Sequence, residues 1–274
     1  MNDLQKKEFE LFASFVQVCE KLEIPYFLVC GSALGAVKYG GFIPWDDDMD
    51  VGLLREDYDR FLLHAPKLLP EWLFLQSFRS DPAYPMIFSK LRDSRTTYVE
   101  KSIAHLPINH GVYIDIFPLD GYPANPRDAK KLERRKSLYK LELMAALDGR
   151  EFGFKARTVW RLMRILGFHK RTRAILEKYE RLISRYDTDT SALICNHGNW
   201  QGKLEYAPRE QYGQGSIWSF EGIQARVPEL YDAYLTQKYK DWRADLPPEK
   251  QVGHHYYTVM DLETPYTERI QPHQ

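Results

Sequence analysis

Residues 30–52 read CGSALGAVKYGGFIPWDDDMDVG, and this stretch decides the fold. Asp46, Asp47, Asp48 and Asp50 fall within five positions. So many like charges repel one another unless a cation neutralises them. From Asp48 to Leu53, carboxylate and apolar residues alternate, which is the period of a strand. On such a strand Asp48 and Asp50 point to one face, ~6–7 Å apart. Two carboxylates so placed can share a hard divalent cation, and Mg²⁺ is often held by one or two carboxylates together with substrate phosphates. A solvated acidic loop is the bland alternative. The apolar Trp45 and Met49 threaded among the acids count against it.

Working outward, Tyr26 to Cys30 is a short apolar run that reads as a buried strand, broken at Gly31-Ser32 before a short helix at 33–38. A strand, a Gly-Ser and a helix start make a phosphate cradle from backbone N–H groups and a small hydroxyl. Alone this signal is weak, because Ser is an ordinary helix cap. The carboxylate pair that follows gives it weight. If two metals are used, a third carboxylate is expected. Asp115, a lone acid in Val112–Phe117, is the candidate, since a buried carboxylate must be paired or metal-bound. Lys38, Lys90 and Arg92 are candidate phosphate partners.

The rest of the chain is an α+β pattern. Periodicity predicts helices over 5–22, 55–69, 127–147, 155–185 (one or two) and 229–240, and strands over 73–78, 86–91 and 112–117. We expect a small mixed sheet flanked by helices over residues 1–126, a basic helical insert over 127–190, and a less regular segment over 191–274 that packs back on the core.

Charge supports this division. The whole chain has 38 Lys plus Arg and 38 Asp plus Glu. That balance excludes nucleic-acid binding through bulk positive charge. Residues 127–185, however, hold 18 basic and 7 acidic residues. Cys19, Cys30 and Cys195 are widely spaced with apolar neighbours, so free thiols in a reducing compartment are expected rather than a disulfide frame or zinc site. No apolar run is long enough to span a membrane. We expect a cytoplasmic protein, peripheral at the inner membrane face at most.

The motif residues resemble those of the LicD family. The resemblance rests on Gly31-Ser32-Ala33-Leu34-Gly35-Ala36-Val37, then on Gly41-Phe42-Ile43-Pro44-Trp45-Asp46-Asp47-Asp48-Met49-Asp50. It continues at Asp57-Tyr58, Lys90-Leu91-Arg92-Asp93 and Asp115-Ile116-Phe117-Pro118-Leu119-Asp120, and reappears at Val227-Pro228, Tyr239, Pro247-Pro248 and His254. Lys240 and Val252 depart from the family's C-terminal pattern.

The resemblance implies a nucleotidyltransferase-like core and a phosphotransferase. It would move phosphocholine, or a related phospho-alcohol, from a CDP-activated donor such as CDP-choline to a hydroxyl of a lipopolysaccharide or teichoic acid precursor, releasing CMP. In that reading Asp48, Asp50 and Asp115 hold one or two Mg²⁺ ions, for which Mn²⁺ can substitute. Asp115 helps take the acceptor's proton, and Gly31, Ser32, Lys38, Lys90 and Arg92 meet donor phosphates. Two rivals stay open: transfer of an NMP group, and a non-catalytic glycan- or membrane-binding module.

Three further features are legible. Trp45, Trp200 and Trp218 are conceivable walls of an aromatic cage for a quaternary ammonium, but ordinary core packing is the favoured reading. His197, His254 and His255 could act as acid, base or ligand. Residues 152–176 contain no Asp or Glu, and their helical spacing suits either an anionic membrane surface or a wet face on the protein's own domain.

Overall fold

The computed structural model describes residues 1–199, 202–253 and 255–269. Its elements in chain order are α1 (Asp3–Leu22), β1 (Phe27–Leu28), α2 (Cys30–Tyr39), β2 (Asp50–Leu54), α3 (Arg55–His64), β3 (Leu73–Gln76), β4 (Ser89–Asp93), β5 (Thr97–Glu100) and β6 (Val112–Tyr122). There follow α4 (Pro126–Leu143), α5 (Phe154–Ile165), α6 (Thr172–Ile183), β7 (Leu193–Asn196), β8 (Tyr206–Pro208) and α7 (Arg209–Tyr212). The chain closes with β9 (Ser216–Phe220), β10 (Ile223–Val227), α8 (Tyr231–Tyr239), β11 (Tyr257–Asp261) and α9 (Tyr266–Arg269).

The main sheet is mixed, in the order β1-β2-β6-β4-β3, with β7 added to β6 and β8 to β7. β6 is its spine. It runs parallel to β2 on one side. On the other it pairs with β4 as far as Ile116 and with β7 from Leu119 onward. Pro118 has no N–H to donate and falls between those two pairings, where a central strand can tolerate it. The change of partner curls the sheet. Residues 191–274 supply β7 and β8 to it, and β11 pairs with β5.

Helix α1 begins at a capping box between Asn2 and Gln5. It buries Leu11, Phe12, Phe15, Val18 and Cys19 against the sheet. The main core holds Val51, Leu53, Leu91, Ile114 and Ile116 beneath it. A second core, including Leu132, Leu143, Ile175, Tyr179 and Ile183, lies between α4 and α6. The three cysteines are free and buried.

One open alternative is decided and one local expectation is corrected. The span 155–185 is two helices, because Gly167 sits in the left-handed region at φ 79°, which ends the first. Asp48 precedes β2 rather than lying in it, since regular pairing starts only at Asp50.

Candidate active site

Three strands build the floor of a cleft of about 480 Å³. Asp50 opens β2 directly opposite Asp115 on β6, and Lys90 on β4 is directly opposite Asp115 on the other side. The three side chains therefore form a row across the sheet. Asp46 and Asp48 reach the same cleft from the loop before β2, and Gly31 from the first turn of α2. Phe88, Phe117 and Tyr239 supply apolar walls.

The loop is fixed by neighbours distant in sequence. Gln5 Nε2 on α1 donates to the carbonyl oxygens of Ile43 and Asp46, both at 3.0 Å. The Asp50 N–H donates to Ser32 Oγ at 2.8 Å, tying β2 to the start of α2. A Cβ on Gly31 would stand 2.7 Å from Asp46 Oδ2, so glycine lets the acid approach the helix.

The acids are poorly compensated. Burial first, then the Asp48 and Asp115 charges, hold the Asp50 carboxyl well above its ordinary range. Asp46 is pushed up to about 8 by burial and by Asp48. Glu8, on α1, is buried, has an unpartnered Oε2, and is raised by burial and by the charges of Asp48 and Asp46. Asp115 is raised by burial, an effect opposed by Lys90, whose Nζ is 2.9 Å from its Oδ1. Such a hard, all-oxygen carboxylate set under self-repulsion fits a divalent cation of the Mg²⁺ type.

Three cationic groups face these acids. Lys90 also contacts Glu100 at 3.1 Å, and Arg92 Nη2 donates to the other Glu100 oxygen at 2.8 Å. Burial would raise Glu100, but the two cations hold it at about 2. His255 Nδ1 lies 3.1 Å from Asp47 Oδ1, and its Nε2 lies 3.7 Å from Asp48 Oδ2. Burial opposes its charge, yet the Asp47 hydrogen bond and the Asp48 carboxylate lift it to about 10. Asp47, Asp48 and His255 also place ligand atoms within 4.8 Å of one another.

Of the residues expected from sequence, Asp48, Asp50, Asp115, Gly31 and Lys90 line the cleft together. Ser32 lies behind it, at the Asp50 amide. Arg92 is fully buried and spends its guanidinium on Gln76, the Gly111 carbonyl and Glu100. Lys38 points elsewhere: its Nζ donates to the Ala244 carbonyl at 2.8 Å and lies 3.0 Å from Asp245. Trp218 packs edge-on against Tyr231, with ring centroids 5.0 Å apart. Trp200 and His254 lie outside the described residues. His197 is buried beneath a small apolar pocket beside the cleft.

Sequence reasoning missed Glu8 and Glu100, and singled out no role for Gln5. A second pocket of about 200 Å³ adjoins the cleft, sharing Gly31, Asp46 and Tyr239 with it. Tyr39, Trp45, Tyr239 and Trp242 line this side pocket. Tyr39 and Trp45 meet edge to face at 6.1 Å.

Residues 23–153 match the family model described as LicD/FKTN/FKRP, nucleotidyltransferase domain. Over 250 residues the chain is 28% identical to the lipopolysaccharide cholinephosphotransferase LicD of Haemophilus influenzae, covering 88% of this chain and 90% of that one. An uncharacterized protein of Rickettsia prowazekii is 28% identical over 116 residues, 42% of this chain and 40% of its own. Ribitol 5-phosphate transferase FKRP of Homo sapiens is 48% identical over 42 residues, 15% of this chain and 8% of its own.

Proposed function

We propose, from the premise that residues 23–153 belong to the LicD family, that the protein transfers a phospho-alcohol to a hydroxyl of a glycan. The finer reading is transfer of phosphocholine from CDP-choline, with release of CMP. The observation that carries it is the meeting of Asp48, Asp50 and Asp115 in one cleft with Lys90.

Asp48, Asp50 and Asp115 would hold the divalent cation, Mg²⁺ by preference. Bound there, the ion would offset charge on the donor diphosphate and on the transferred phosphoryl group. The protein's own groups do the rest. The first turn of α2, at Cys30 and Gly31, presents its N-terminal end to the cleft, where it favours phosphate oxygens. Lys90 and His255 bring positive charge to the same space. The acceptor oxygen bonds to the phosphorus that carries the alcohol, and the bond from that phosphorus to the bridging oxygen breaks. CMP leaves, and we assign the acceptor's proton to Asp115.

The side pocket supports a cationic alcohol. Aromatic walls attract a quaternary ammonium through their ring faces; Asp241 lines the same pocket, and the pocket's own cation, Lys38, is paired with Asp245. The Haemophilus relative is named for choline phosphate transfer. A second reading, a ribitol-like polyol, is favoured by the 48% identity to FKRP over its short shared stretch.

The test is to incubate the purified protein with Mg²⁺, a panel of CDP-alcohols and lipopolysaccharide- or teichoic-type acceptors, and to measure CMP. We expect CMP with CDP-choline and about a thousandfold less from the Asp50→Asn variant. Faster release with CDP-ribitol would shift the assignment to a polyol. No CMP from any donor, or a nucleotidylated acceptor, would overturn the proposal.

A further inference from the structure

Helix α5 buries none of its residues, although its sequence is rich in large apolar side chains. Phe154 is 87% exposed, Ile165 82%, and Leu162 and the adjoining Leu166 about half. At 100° per residue, Phe154, Thr158 and Ile165 fall within one narrow outward stripe. Arg157 and Arg161 flank that stripe on one side, and Lys155 and Leu162 on the other. The inward face is made by the half-buried Val159, Trp160 and Met163. The helix therefore docks on the protein by one face and offers a second apolar face to the outside.

The charge around this stripe is of one sign. Residues 152–176 contain seven Lys or Arg and no Asp or Glu. A second copy of the chain presenting the same face would meet like charge. An anionic lipid surface meets both features at once: acyl chains take the apolar centre and headgroups take the flanking cations. Among the described residues no helix is long and apolar enough to cross a membrane, so the helix would lie on the surface and not span it.

The placement of α5 links this surface to the cleft. Trp160 Nε1 donates to the Leu147 carbonyl at 3.0 Å, and Arg164 Nη1 to the Ala145 carbonyl at 3.2 Å. Leu147 lines the small apolar pocket whose Met86, Phe88 and Gly198 also line the cleft. One layer of side chains thus separates the α5 support from the cleft wall.

We propose that α5 is a membrane-surface helix that seats the protein on an anionic leaflet through Phe154, Leu162 and Ile165, with Lys155, Arg157 and Arg161 at the headgroups. The inference does not depend on which reaction the cleft performs.

The experiment uses the full chain with vesicles of phosphatidylcholine, alone or with 30 mol % phosphatidylglycerol, separated by sedimentation. The protein should sediment with the anionic vesicles, stay in solution with the neutral ones, and be released as NaCl rises, because exposed charges are screened. Phe154→Asp with Ile165→Asp, or Lys155→Glu with Arg161→Glu, should each weaken binding by about tenfold or more. CMP release from water-soluble substrates should be unchanged, which separates failure of this inference from failure of the proposed reaction. Equal binding to both vesicle types, no binding to either, or wild-type binding by both folded variants would overturn it. So would a dimer in solution that the Phe154→Asp, Ile165→Asp variant abolishes, since the stripe would then belong to a second copy. Should one variant not fold, the other and the wild-type salt titration still decide.

Discussion

Lys90 and Asp115 face each other across adjacent antiparallel strands, Nζ to Oδ1 at 2.9 Å, with the lysine side chain 2% exposed. The same ammonium serves Glu100. Removing it leaves two buried carboxylates beside an already acidic cleft. Lys90→Met should destabilise the protein by about 3–5 kcal/mol. Urea unfolding with and without Mg²⁺ checks this: the loss should be larger without the ion. Lys90→Arg should recover part of it.

Asp50 shows the reverse balance. Its charge is opposed by burial and by Asp48 and Asp115. Asp50→Asn should therefore raise the stability of the cation-free protein by about 1–2 kcal/mol, a common sign of a site strained for function. It should also lower CMP release about a thousandfold and remove the rise in Tm expected on adding Mg²⁺. Thermal melts with and without Mg²⁺, alongside the assay, separate the effects. An Asp50→Asn protein that melts higher in Mg²⁺ to the same extent as wild type would remove Asp50 from the cation site.

Asp120 is a matched contrast. Five residues beyond Asp115 on the same strand, it points to the opposite face. There Arg55 Nε and Nη2 donate to its two oxygens at 2.6 and 2.9 Å, and both side chains are buried. Asp120→Ala should cost about 3–5 kcal/mol, yet leave the Mg²⁺ dependence of Tm intact. Loss of the Mg²⁺ response in a folded Asp120→Ala protein would place it in the site instead.

Two buried histidines work against stability on mild acidification, opposing the gain from the raised carboxyls of Glu8, Asp46 and Asp50. Burial first, then Lys136 and Lys140, hold His197 well below its ordinary range, and burial lowers His110. A lowered folded value means that the unfolded chain takes up the proton first. These groups therefore cost nothing above about pH 6.5 and reduce stability as pH drops below it. Each adds a slope approaching 1.4 kcal/mol per pH unit until the folded group itself protonates. His197→Gln should remove one proton's destabilising slope from the curve between pH 6.5 and 5, read from urea midpoints. An unchanged slope would contradict this.

The glycines Gly31 and Gly35 should respond differently to alanine. At Gly31 the new methyl meets the end of the Asp46 side chain, which can swing away. Gly31→Ala should fold nearly as well as wild type but lose activity, as the acid is displaced. At Gly35 the methyl would stand 2.4 Å from the Gly41 carbonyl oxygen, which is fixed backbone. Gly35→Ala should lower Tm outright.

Much of the cleft is legible in sequence because its acids are local. Asp46 to Asp50 announce themselves by crowding, and Asp115 by its isolation among apolar residues. Strand spacing correctly puts Lys90 and Arg92 on one side of β4 but cannot tell which will meet the cleft. Lys90 reaches Asp115, whereas Arg92 is consumed by Gln76, Gly111 and Glu100. Lys38 follows α2 away from the acids and is held by the chain around 242–245. His255 depends on β11 pairing with β5 across more than 150 residues, and no local pattern carries that pairing. Gln5 is invisible for the same reason, since its partners are 38 and 41 residues away.

The β5–β11 pairing also sets an order in time. Chains emerge from the ribosome at roughly 5–20 residues per second, so the acids of residues 46–50 are outside on the order of 10–40 s before His255. Until then the row of carboxylates lacks the imidazole that faces Asp47 and Asp48. A nascent or prematurely terminated chain would carry the motif without its complete ring of charges. The cleft's full set of charges would arrive only with β11.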